Sequence, residues 1–439
     1  MPSLPLLAPS PSFLISSSHP IPKLKRFKYN FSASLSSTTS DSIIDKSQYG
    51  RSTGVIIVGA GLAGLAAATR LEAANIPFLL LEASDGVGGR VRTDNVDGFL
   101  LDRGFQIFIT AYPEARKILN YRDLKLRNFY SGARVYLDGK FHTVSDPFRH
   151  FADSIKSLTN PIGSVFDKIM IGLIRARAMA MTDEEIITSD EVSIADLLKS
   201  GGFSDSIIDR FFKPFFGGIF FDSELKTTSR LFYFIFKCLA LGNNTLPVNG
   251  IGAIPDQIAA KLPFDSILLS SKVVSVETRP ELGDGKPKRG RSTVTLYFST
   301  DENRVPANDP ILFLNGSGKG IVNNMFFATN VSPSYAPPGK ALVSVTAIGY
   351  FDNKTDDELI LTVVDELSSW FGAAAVQSWT HLRTYRIRFA QPDQSPPTNL
   401  NKDPKIAPGL YLCGDHWTSA TFDGAMVSGR RAAERLLGE

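Results

Sequence analysis

The chain has 439 residues, of which 43% are hydrophobic and 21% are charged, and its formal net charge is +3. This length predicts two structural units, and the composition is typical of a globular protein. Its apolar stretches fall short of the about 18 residues that a transmembrane helix needs. Because Lys23, Lys25, Arg26 and Lys28 all precede the first acidic residue, Asp41, the rest of the chain is close to neutral. A near-neutral body argues against a nucleic-acid partner, whose binding rests on many phosphate contacts.

The N-terminus is rich in serine, in clusters such as SPSFLISSS and FSASLSSTTS. A serine-rich, basic and acid-poor N-terminus is typical of an organelle transit peptide. Scarce arginine and abundant serine favour a chloroplast over a mitochondrion. We therefore predict that residues 1–50 are a transit peptide or disordered, and a plain disordered tail is the alternative.

A strand, a tight turn and a helix follow from Gly54, in GVIIV, GAGLAG and LAAATRLEAA. PFLLLE then predicts a second strand that ends at Glu82. This order is a βαβ unit, whose two strands run parallel.

The middle of the chain, about 147–245, has apolar residues at helical spacing and is predicted to be mainly helical. Further on, SSKVVSVETR and STVTLYFS predict a β-hairpin around PELGDGKPKRG. The basic run KPKRGR would be its solvated tip, and a nucleic-acid contact is the weaker alternative. ILFLN and NNMFFATN predict another hairpin. Thr355 begins a capped helix, TYRIRFA and LYLCGD predict strands, and DGAMVSGRRAAERLL predicts a closing helix.

Gly59, Gly61 and Gly64 have the spacing of the dinucleotide fingerprint, between a strand and a helix. They allow the tight turn, the approach of a pyrophosphate and close helix packing. The helix that starts near Leu62 offers free N–H groups to the phosphates. Glu82 can accept hydrogen bonds from the ribose hydroxyls and would repel the extra phosphate of NADP.

A second glycine motif, GVGGRVRT, follows Glu82 and predicts FAD rather than a nicotinamide cofactor. Gly88 and Gly89 supply further N–H groups, and Arg90 supplies a guanidinium fork for the pyrophosphate. Near the C-terminus, Gly414 and Asp415 end a strand, and an acidic residue there can bind ribityl hydroxyls. The following helix, with Met426, would lie beside the flavin ring, where its N-terminus stabilises negative charge.

These motifs together resemble the flavin-containing amine oxidase superfamily, which includes monoamine and polyamine oxidases, protoporphyrinogen oxidase and phytoene desaturases. The phytoene desaturase and protoporphyrinogen oxidase branch, of plant plastid type, is the nearest in pattern. The likeness covers most of residues 54–439 and implies an FAD-dependent oxidoreductase. It also implies that Val274 makes backbone contacts near the adenine. Cys413 is interpreted as a buried strand residue, not a flavin link.

The fold predicted on this basis is α/β, with a discontinuous Rossmann-like FAD-binding domain and an inserted α+β substrate domain. The FAD-binding pieces are predicted at 51–130, 246–305 and 405–439, and the substrate-domain pieces at 131–245 and 306–404. The sequence departs from the family pattern at one place. Members of the family usually carry a strand of the type VVVAT-P between the hairpin and the substrate-domain sheet, whereas the segment TVTLYFSTDENRVPANDPILFLN passes almost directly from one to the other. A catalytically silent flavoprotein therefore remains an alternative.

The predicted substrate is a hydrophobic small molecule of isoprenoid or tetrapyrrole type. The phenylalanine-rich stretch FFKPFFGGIFF falls in the substrate domain, so Phe215 and Phe216 are candidate substrate contacts, with ordinary core packing as the alternative. VFDKIMIGLIRARAMAM could lie on a membrane surface or pack against the domain. An amine oxidase acting on a polyamine or aryl amine is the second functional hypothesis.

No catalytic side chain is predicted, because a flavin takes a hydride without a protein nucleophile. Asp102 could face the active site or lie at the surface. His416 is interpreted as a structural hydrogen-bonding residue, with an acid/base role near the flavin as the alternative. The two cysteines, Cys238 and Cys413, form no disulfide framework, which fits a reducing compartment. The five histidines show no metal-ligand spacing, so no metal is expected.

Overall fold

The computed structural model describes residues 12–16 (backbone only), 53–146, 149–150, 160–276 and 290–438. The strands are β1 Ser12–Ser16, β2 Val55–Val58, β3 Phe78–Leu81, β4 Thr93–Val96, β5 Phe99–Asp102, β6 Phe108–Ile109, β7 Arg127–Asn128, β8 Gly132–Leu137, β9 Lys140–Ser145, β10 Asn244–Leu246, β11 Ile267–Leu268, β12 Gly290–Asp301, β13 Leu312–Asn315, β14 Val322–Phe327, β15 Lys340–Ile348, β16 Thr380–Pro392, β17 Lys405–Ala407 and β18 Leu410–Cys413. The α-helices are α1 Leu62–Ala73, α2 Pro113–Ile118, α3 Tyr121–Leu124, α4 Val165–Ala180, α5 Asp183–Thr188, α6 Ile194–Ser200, α7 Asp205–Ile207, α8 Lys213–Phe220, α9 Ser229–Leu241, α10 Ala253–Ala259, α11 Ala328–Val331, α12 Asp356–Phe371, α13 Ala373–Val376 and α14 Phe422–Leu437.

A six-stranded sheet, in the order β11-β3-β2-β1-β18-β17, is assembled from distant parts of the chain. The predicted βαβ unit is confirmed, because β2 and β3 pair in parallel and α1 connects them. β11 extends the parallel part beside β3, and β18 carries the C-terminal motif into the same sheet. Strands from 55–81, 267–268 and 405–413 therefore build one discontinuous unit.

Strand β1 lies between β2 and β18 and runs antiparallel to both. The prediction for residues 1–50, a transit peptide or a disordered tail, did not anticipate this strand. The rest of residues 1–52 lies outside the described part of the chain. The position of β1 has a consequence for stability, because β2 and β18 would otherwise each present an unpaired edge inside the sheet.

A seven-stranded sheet has the order β16-β12-β15-β14-β13-β8-β9. Alternate residues divide it into two faces. The outer face, with Leu296 and Val343, packs in one apolar cluster with residues of α12 such as Val363. The inner face, with Tyr297 and Phe326, belongs to the larger core that also holds the six-stranded sheet. The inner face is thus the boundary between the two sheet systems.

The predicted hairpin of SSKVVSVETR with STVTLYFS is wrong. Residues 271–276 are not in a strand, and β12 pairs instead with β15 and β16, both far along the chain. The twelve-residue β12 finds longer partners there than a local hairpin would provide. The predicted basic tip lies mostly within 277–289, outside the described residues.

Other local predictions are confirmed. The part of 147–245 that the structure describes is mainly helical and contains α4 to α9. β13 and β14 form the predicted hairpin. Thr355 and Glu358 form a reciprocal capping box at the start of α12. The closing helix α14 packs across α1, where a side chain at Gly429 would overlap the Ala63 carbonyl.

Candidate cofactor and active site

The glycine turn after β2 has the geometry expected for a phosphate site. Gly59 has φ +94°, which favours glycine, and a side chain at Gly64 would overlap the Gly59 carbonyl. The space where Gly61 would carry a side chain is open. No side chain caps the first turn of α1, and that turn has no acidic residue. Its N–H groups and positive dipole end therefore fit an anion.

The Glu82 carboxylate is held directly beside this turn. Its Oε2 accepts from the Ala60 N–H at 2.7 Å, and its Oε1 accepts from the Ser84 N–H and hydroxyl, both at 2.8 Å. These bonds fix the carboxylate at the carboxyl end of β3. This is the edge where a ribose would lie next to a pyrophosphate bound at α1.

The second glycine motif packs against the first. The Gly88 N–H donates to the Ala60 carbonyl at 2.8 Å, and Gly88 forms a parallel bridge with Gly61. Gly88 and Gly89 both have positive φ, +103° and +61°. A side chain at Gly89 would lie 3.5 Å from the Gly61 Cα. The two motifs thus form one backbone-lined cradle.

An ion pair joins this cradle to the C-terminal motif. Arg90 Nη2 lies 2.8 Å from Asp415 Oδ1, and Arg90 Nη1 donates to the Ala390 carbonyl at 2.7 Å. Burial alone would raise the pKa of Asp415, but Arg90 and His416 hold that pKa well below its usual range. The Gly414 N–H donates to the Ser428 hydroxyl of α14 at 3.0 Å. The residues present therefore fit FAD.

Three predicted cofactor contacts are either exposed away from this cradle or buried in the core. Val274 lies beyond β11 with its side chain 88% exposed. Leu62 is buried at the start of α1, and Met426 is fully buried in α14. The side chains of Leu62 and Met426 therefore pack in the core. Contact of their backbones with the cofactor stays a prediction.

The phenylalanine-rich stretch forms a π-helical turn, Ile208–Phe212, followed by α8. Phe216 is fully buried, and its ring lies 4.8 Å from that of Phe232. Phe215 is partly buried and stacks on Phe211 with a ring separation of 5.4 Å. The geometry gives Phe216 a core position. Contact of either ring with a substrate stays a prediction.

Helix α8 lies along the inner face of the seven-stranded sheet. The Pro214 carbonyl accepts from Asn323 Nδ2 at 3.0 Å, and the Ile219 carbonyl accepts from Gln391 Nε2 at 2.9 Å. A side chain at Gly218 would crowd Asn323 Nδ2, at 2.7 Å, and Asn324 Oδ1, at 3.1 Å. The glycines of the stretch therefore permit close approach of helix and sheet.

Asp102 is buried, so its alternative placement at the surface is wrong. Its carboxylate accepts from the Thr93 hydroxyl at 2.6 Å, the Ile251 N–H at 2.9 Å and the Tyr335 hydroxyl at 3.0 Å. The Tyr297 hydroxyl donates to its carbonyl at 2.8 Å. Burial raises the pKa of Asp102 to about 6, although the hydrogen bonds oppose this. The residue ties the cofactor side to the inner face.

Asp423 is a second buried carboxylate, and sequence reasoning missed it. Its Oδ1 accepts from the Glu114 and Ala115 N–H groups at 2.7 and 3.2 Å, at the N-terminus of α2. Burial raises the pKa of Asp423 to about 6, and nearby Glu114 adds to the effect. The acidic first turn of α14 was the available signal, but it did not identify α2 as the partner.

No group of three or more His, Cys, Asp or Glu side chains that could hold a metal ion occurs in the described ranges. Cys413 is fully buried in β18, and burial raises the pKa of its thiol to about 12. Within the same part of the chain, no helix is long and apolar enough to cross a membrane.

The glycine cradle, the fixed Glu82 carboxylate and the Arg90–Asp415 pair are the features expected of a flavin-dependent oxidoreductase. The chain belongs to the family described as flavin containing amine oxidoreductase, which it matches over residues 62–289 and 287–437. FAD is its cofactor, and the predicted α/β class, with an FAD-binding unit and an inserted substrate domain, is confirmed.

Curated relatives are similar over part of the chain. Coproporphyrinogen III oxidase of Mycobacterium tuberculosis is 27% identical over 176 residues, covering 37% of this chain and 36% of that protein. Protoporphyrinogen oxidase 2, chloroplastic/mitochondrial, of Arabidopsis thaliana is 26% identical over 166 residues, covering 37% and 32%. Putrescine oxidase of Kocuria rosea is 41% identical over 94 residues, covering 21% and 20%. The matches thus span about a third or less of these relatives' lengths.

Solved structures show the same fold over nearly the whole chain. A putative protoporphyrinogen oxidase from Exiguobacterium sp. 255-15 superposes with a TM-score of 0.64 at 16% identity, covering 88% of this chain and 98% of that chain. A putrescine oxidase bound to putrescine superposes with a TM-score of 0.61 at 16% identity, covering 88% and 98%.

Proposed function

We propose that the enzyme oxidises a hydrophobic, tetrapyrrole- or isoprenoid-like substrate by passing a hydride to FAD. The supporting observation is the apolar, aromatic boundary where the inner face meets the cofactor side. Phe326 on this face lies 5.4 Å from Phe129 and 6.1 Å from Phe105, measured between ring centroids. Phe105 follows Gly104, and the next residue, Gln106, donates from its side chain to the Arg90 carbonyl. The names of the porphyrinogen oxidase relatives agree with such a substrate.

When bound, FAD supplies the hydride acceptor. The side chains of this boundary would orient an apolar substrate and exclude water from it. Gln106 adds a polar anchor, because its Nε2 donates to the Arg90 and Arg103 carbonyls at 2.8 and 3.1 Å. This bond holds the segment with Phe105 against the cofactor cradle.

The test is anaerobic reduction of the flavin in the purified protein. Coproporphyrinogen, protoporphyrinogen and a hydrocarbon polyene are mixed with it, and flavin absorbance is followed. Bleaching by at least one of them is expected. If dithionite bleaches the flavin but none of the three compounds does, the proposal is refuted and the catalytically silent alternative is favoured.

An amine oxidase remains the second candidate, because a putrescine oxidase is among the relatives. The tyrosines near the boundary do not favour it. Tyr297 and Tyr385 lie edge to face, 5.9 Å apart, and their hydroxyls donate to the Asp102 carbonyl and to Asp94. A ring pair committed in this way offers no open cage for an ammonium group. Peroxide release with putrescine or an aryl amine would reverse this ranking.

We also propose that α4 rests on a membrane surface. Phe166, Ile169 and Leu173 lie on one helical face and are 57%, 58% and 58% exposed. The opposite side packs on α9, where Arg175 Nη2 donates to the Ala240 carbonyl at 3.3 Å. Arg177 lies beside the stripe, with its guanidinium over the Tyr233 ring. Basic residues beside an exposed apolar stripe suit an anionic lipid surface.

Sedimentation with vesicles of phosphatidylcholine and phosphatidylglycerol tests this. The double change Ile169→Ser and Leu173→Ser should release the protein from vesicles. Leu361→Ser, at an exposed apolar residue of α12, should not. Equal sedimentation of both variants would contradict a lipid contact. Self-association without vesicle binding would assign the stripe to a second copy of the chain.

The proposed location is the chloroplast, on the basis of the serine-rich N-terminus. A fluorescent protein fused to residues 1–50 should enter plastids, and cytosolic fluorescence would contradict this. Ser12–Ser16 lies in the same segment, so processing beyond residue 16 would remove β1 from the six-stranded sheet. Mass spectrometry of the N-terminus of plastid-derived protein decides whether β1 is retained.

A further inference from the structure

Three polar residues form a row across the inner face of the seven-stranded sheet. In the register, Thr295 of β12 lies opposite Thr346 of β15, and Thr346 lies opposite Asn324 of β14. All three side chains are at most 1% exposed. Within the described part of the chain, the two threonine hydroxyls and Asn324 Nδ2 have no hydrogen-bond partner.

The row lies on the face that meets the cofactor side. Its neighbour two residues along β12 is Tyr297, whose hydroxyl donates to the Asp102 carbonyl. Its neighbour on β14 is Phe326, which contacts Phe105. Helix α8 packs closely beside Asn324 at Gly218, where a side chain would meet Asn323 Nδ2 at 2.7 Å and Asn324 Oδ1 at 3.1 Å. The row therefore lies on the face to which the proposed function assigns the substrate.

Buried polar groups in folded proteins almost always have partners, and leaving them unpaired costs free energy. Three such groups in adjacent register positions, at the boundary of two sheet systems, need an explanation. A partner that arrives with a ligand provides one. Binding sites reject analogues that leave their buried polar groups unpaired, so the row would also select among ligands.

We propose that this row binds an uncharged hydrogen-bonding group of the substrate. The inference rests on the proposed function and narrows its substrate class. An apolar molecule that carries a ring N–H or a carbonyl near the reacting carbon would satisfy the hydroxyls and the amide. A pure hydrocarbon would leave all three unpaired. An ionised group is disfavoured, because no member of the row is charged and a buried charge needs a counter-charge.

The test compares Thr346→Val with Thr300→Val. Both changes are nearly isosteric and remove a buried hydroxyl that lacks a partner. Thr300, however, has the β12 parity of Leu296 and Phe298 and lies on the outer face. Binding to each variant is measured by the change in flavin absorbance during titration. The two probes are protoporphyrinogen, with its ring N–H groups, and a hydrocarbon polyene.

Thr346→Val should weaken binding of protoporphyrinogen about tenfold, as loss of one buried hydrogen bond predicts, and should not weaken binding of the polyene. Thr300→Val should leave both affinities unchanged. Thermal unfolding confirms that each variant folds, and Thr295→Val replaces Thr346→Val if that variant does not. Equal binding of protoporphyrinogen by the variants on the two faces would overturn this inference alone. A wild-type protein that binds neither probe would overturn the proposed function together with it.

Discussion

Removal of strand β1 should destabilise the FAD-binding sheet and release the cofactor. β1 pairs through four residue positions with β2 and through four with β18. If each pair contributes about one backbone hydrogen bond of about 0.5–1.5 kcal/mol, the strand stabilises the sheet by roughly 4–12 kcal/mol. This is comparable to the whole stability of a typical domain, about 5–15 kcal/mol. The two strands that β1 joins also lead directly into the Gly59 turn and the Gly414–Asp415 motif.

The assay compares wild type with a chain lacking residues 1–20 and with Leu14→Pro, which removes a donor in the middle of the strand. Ala8→Pro adds a proline outside the strand and is the matched control. FAD per chain, from absorbance, and the urea unfolding midpoint are measured. The deletion and Leu14→Pro should lose FAD and several kcal/mol, and Ala8→Pro should lose neither. A truncated chain with full FAD and an unchanged midpoint would refute the reasoning.

Three further predictions concern the cradle and the buried carboxylate. Gly64→Val should abolish FAD retention, because its side chain would overlap the Gly59 carbonyl, and a fully flavinylated variant would contradict this. Arg90→Gln should leave Asp415 buried without its ion-pair partner and lower the free energy of unfolding in urea by about 1–3 kcal/mol. An unchanged free energy of unfolding would show that the pair does not stabilise the fold. The pKa of the Asp102 carboxyl is raised from 3.8 to about 6, so its protonated form stabilises the fold below pH 4. This contribution of about 3 kcal/mol to the free energy of unfolding is lost as the pH rises to about 6. Asp102→Asn should abolish this pH dependence. If the free energy of unfolding changes equally with pH in wild type and in Asp102→Asn between pH 4 and 7, this prediction is contradicted.

The parts of the fold that could be predicted are those with local signals. The turn at Gly59, Gly61 and Gly64 identifies itself because only glycine suits its backbone and its close packing. The capping box at Thr355 likewise involves residues within one helical turn. The same holds for the βαβ unit, whose strands and helix follow one another directly. Sequence spacing alone specifies each of these elements.

The parts that could not be predicted depend on long-range pairing. SFLIS, within a serine-rich stretch, has the composition of a tail, and its partners Val55–Val58 and Leu410–Cys413 lie far along the chain. STVTLYFS predicts a local hairpin because the partners of β12, Lys340–Ile348 and Thr380–Pro392, cannot be identified from nearby residues. Asp102 carries no local mark of burial, since its three donors come from separate segments.

The alternation in Thr293–Phe298 shows why the candidate site needed the structure. A strand that reads polar, apolar, polar, apolar ordinarily has one face in water. In this sheet both faces are covered: Leu296 packs on the outer face, and Thr295 lies fully buried on the inner face. The pattern is visible in the sequence, but only the structure shows that the inner face is buried. Burying polar groups without hydrogen-bond partners destabilises the fold. Such destabilising features are expected where a protein binds its ligand. The row of Thr295, Thr346 and Asn324 therefore indicates function through the cost it imposes on the unliganded fold.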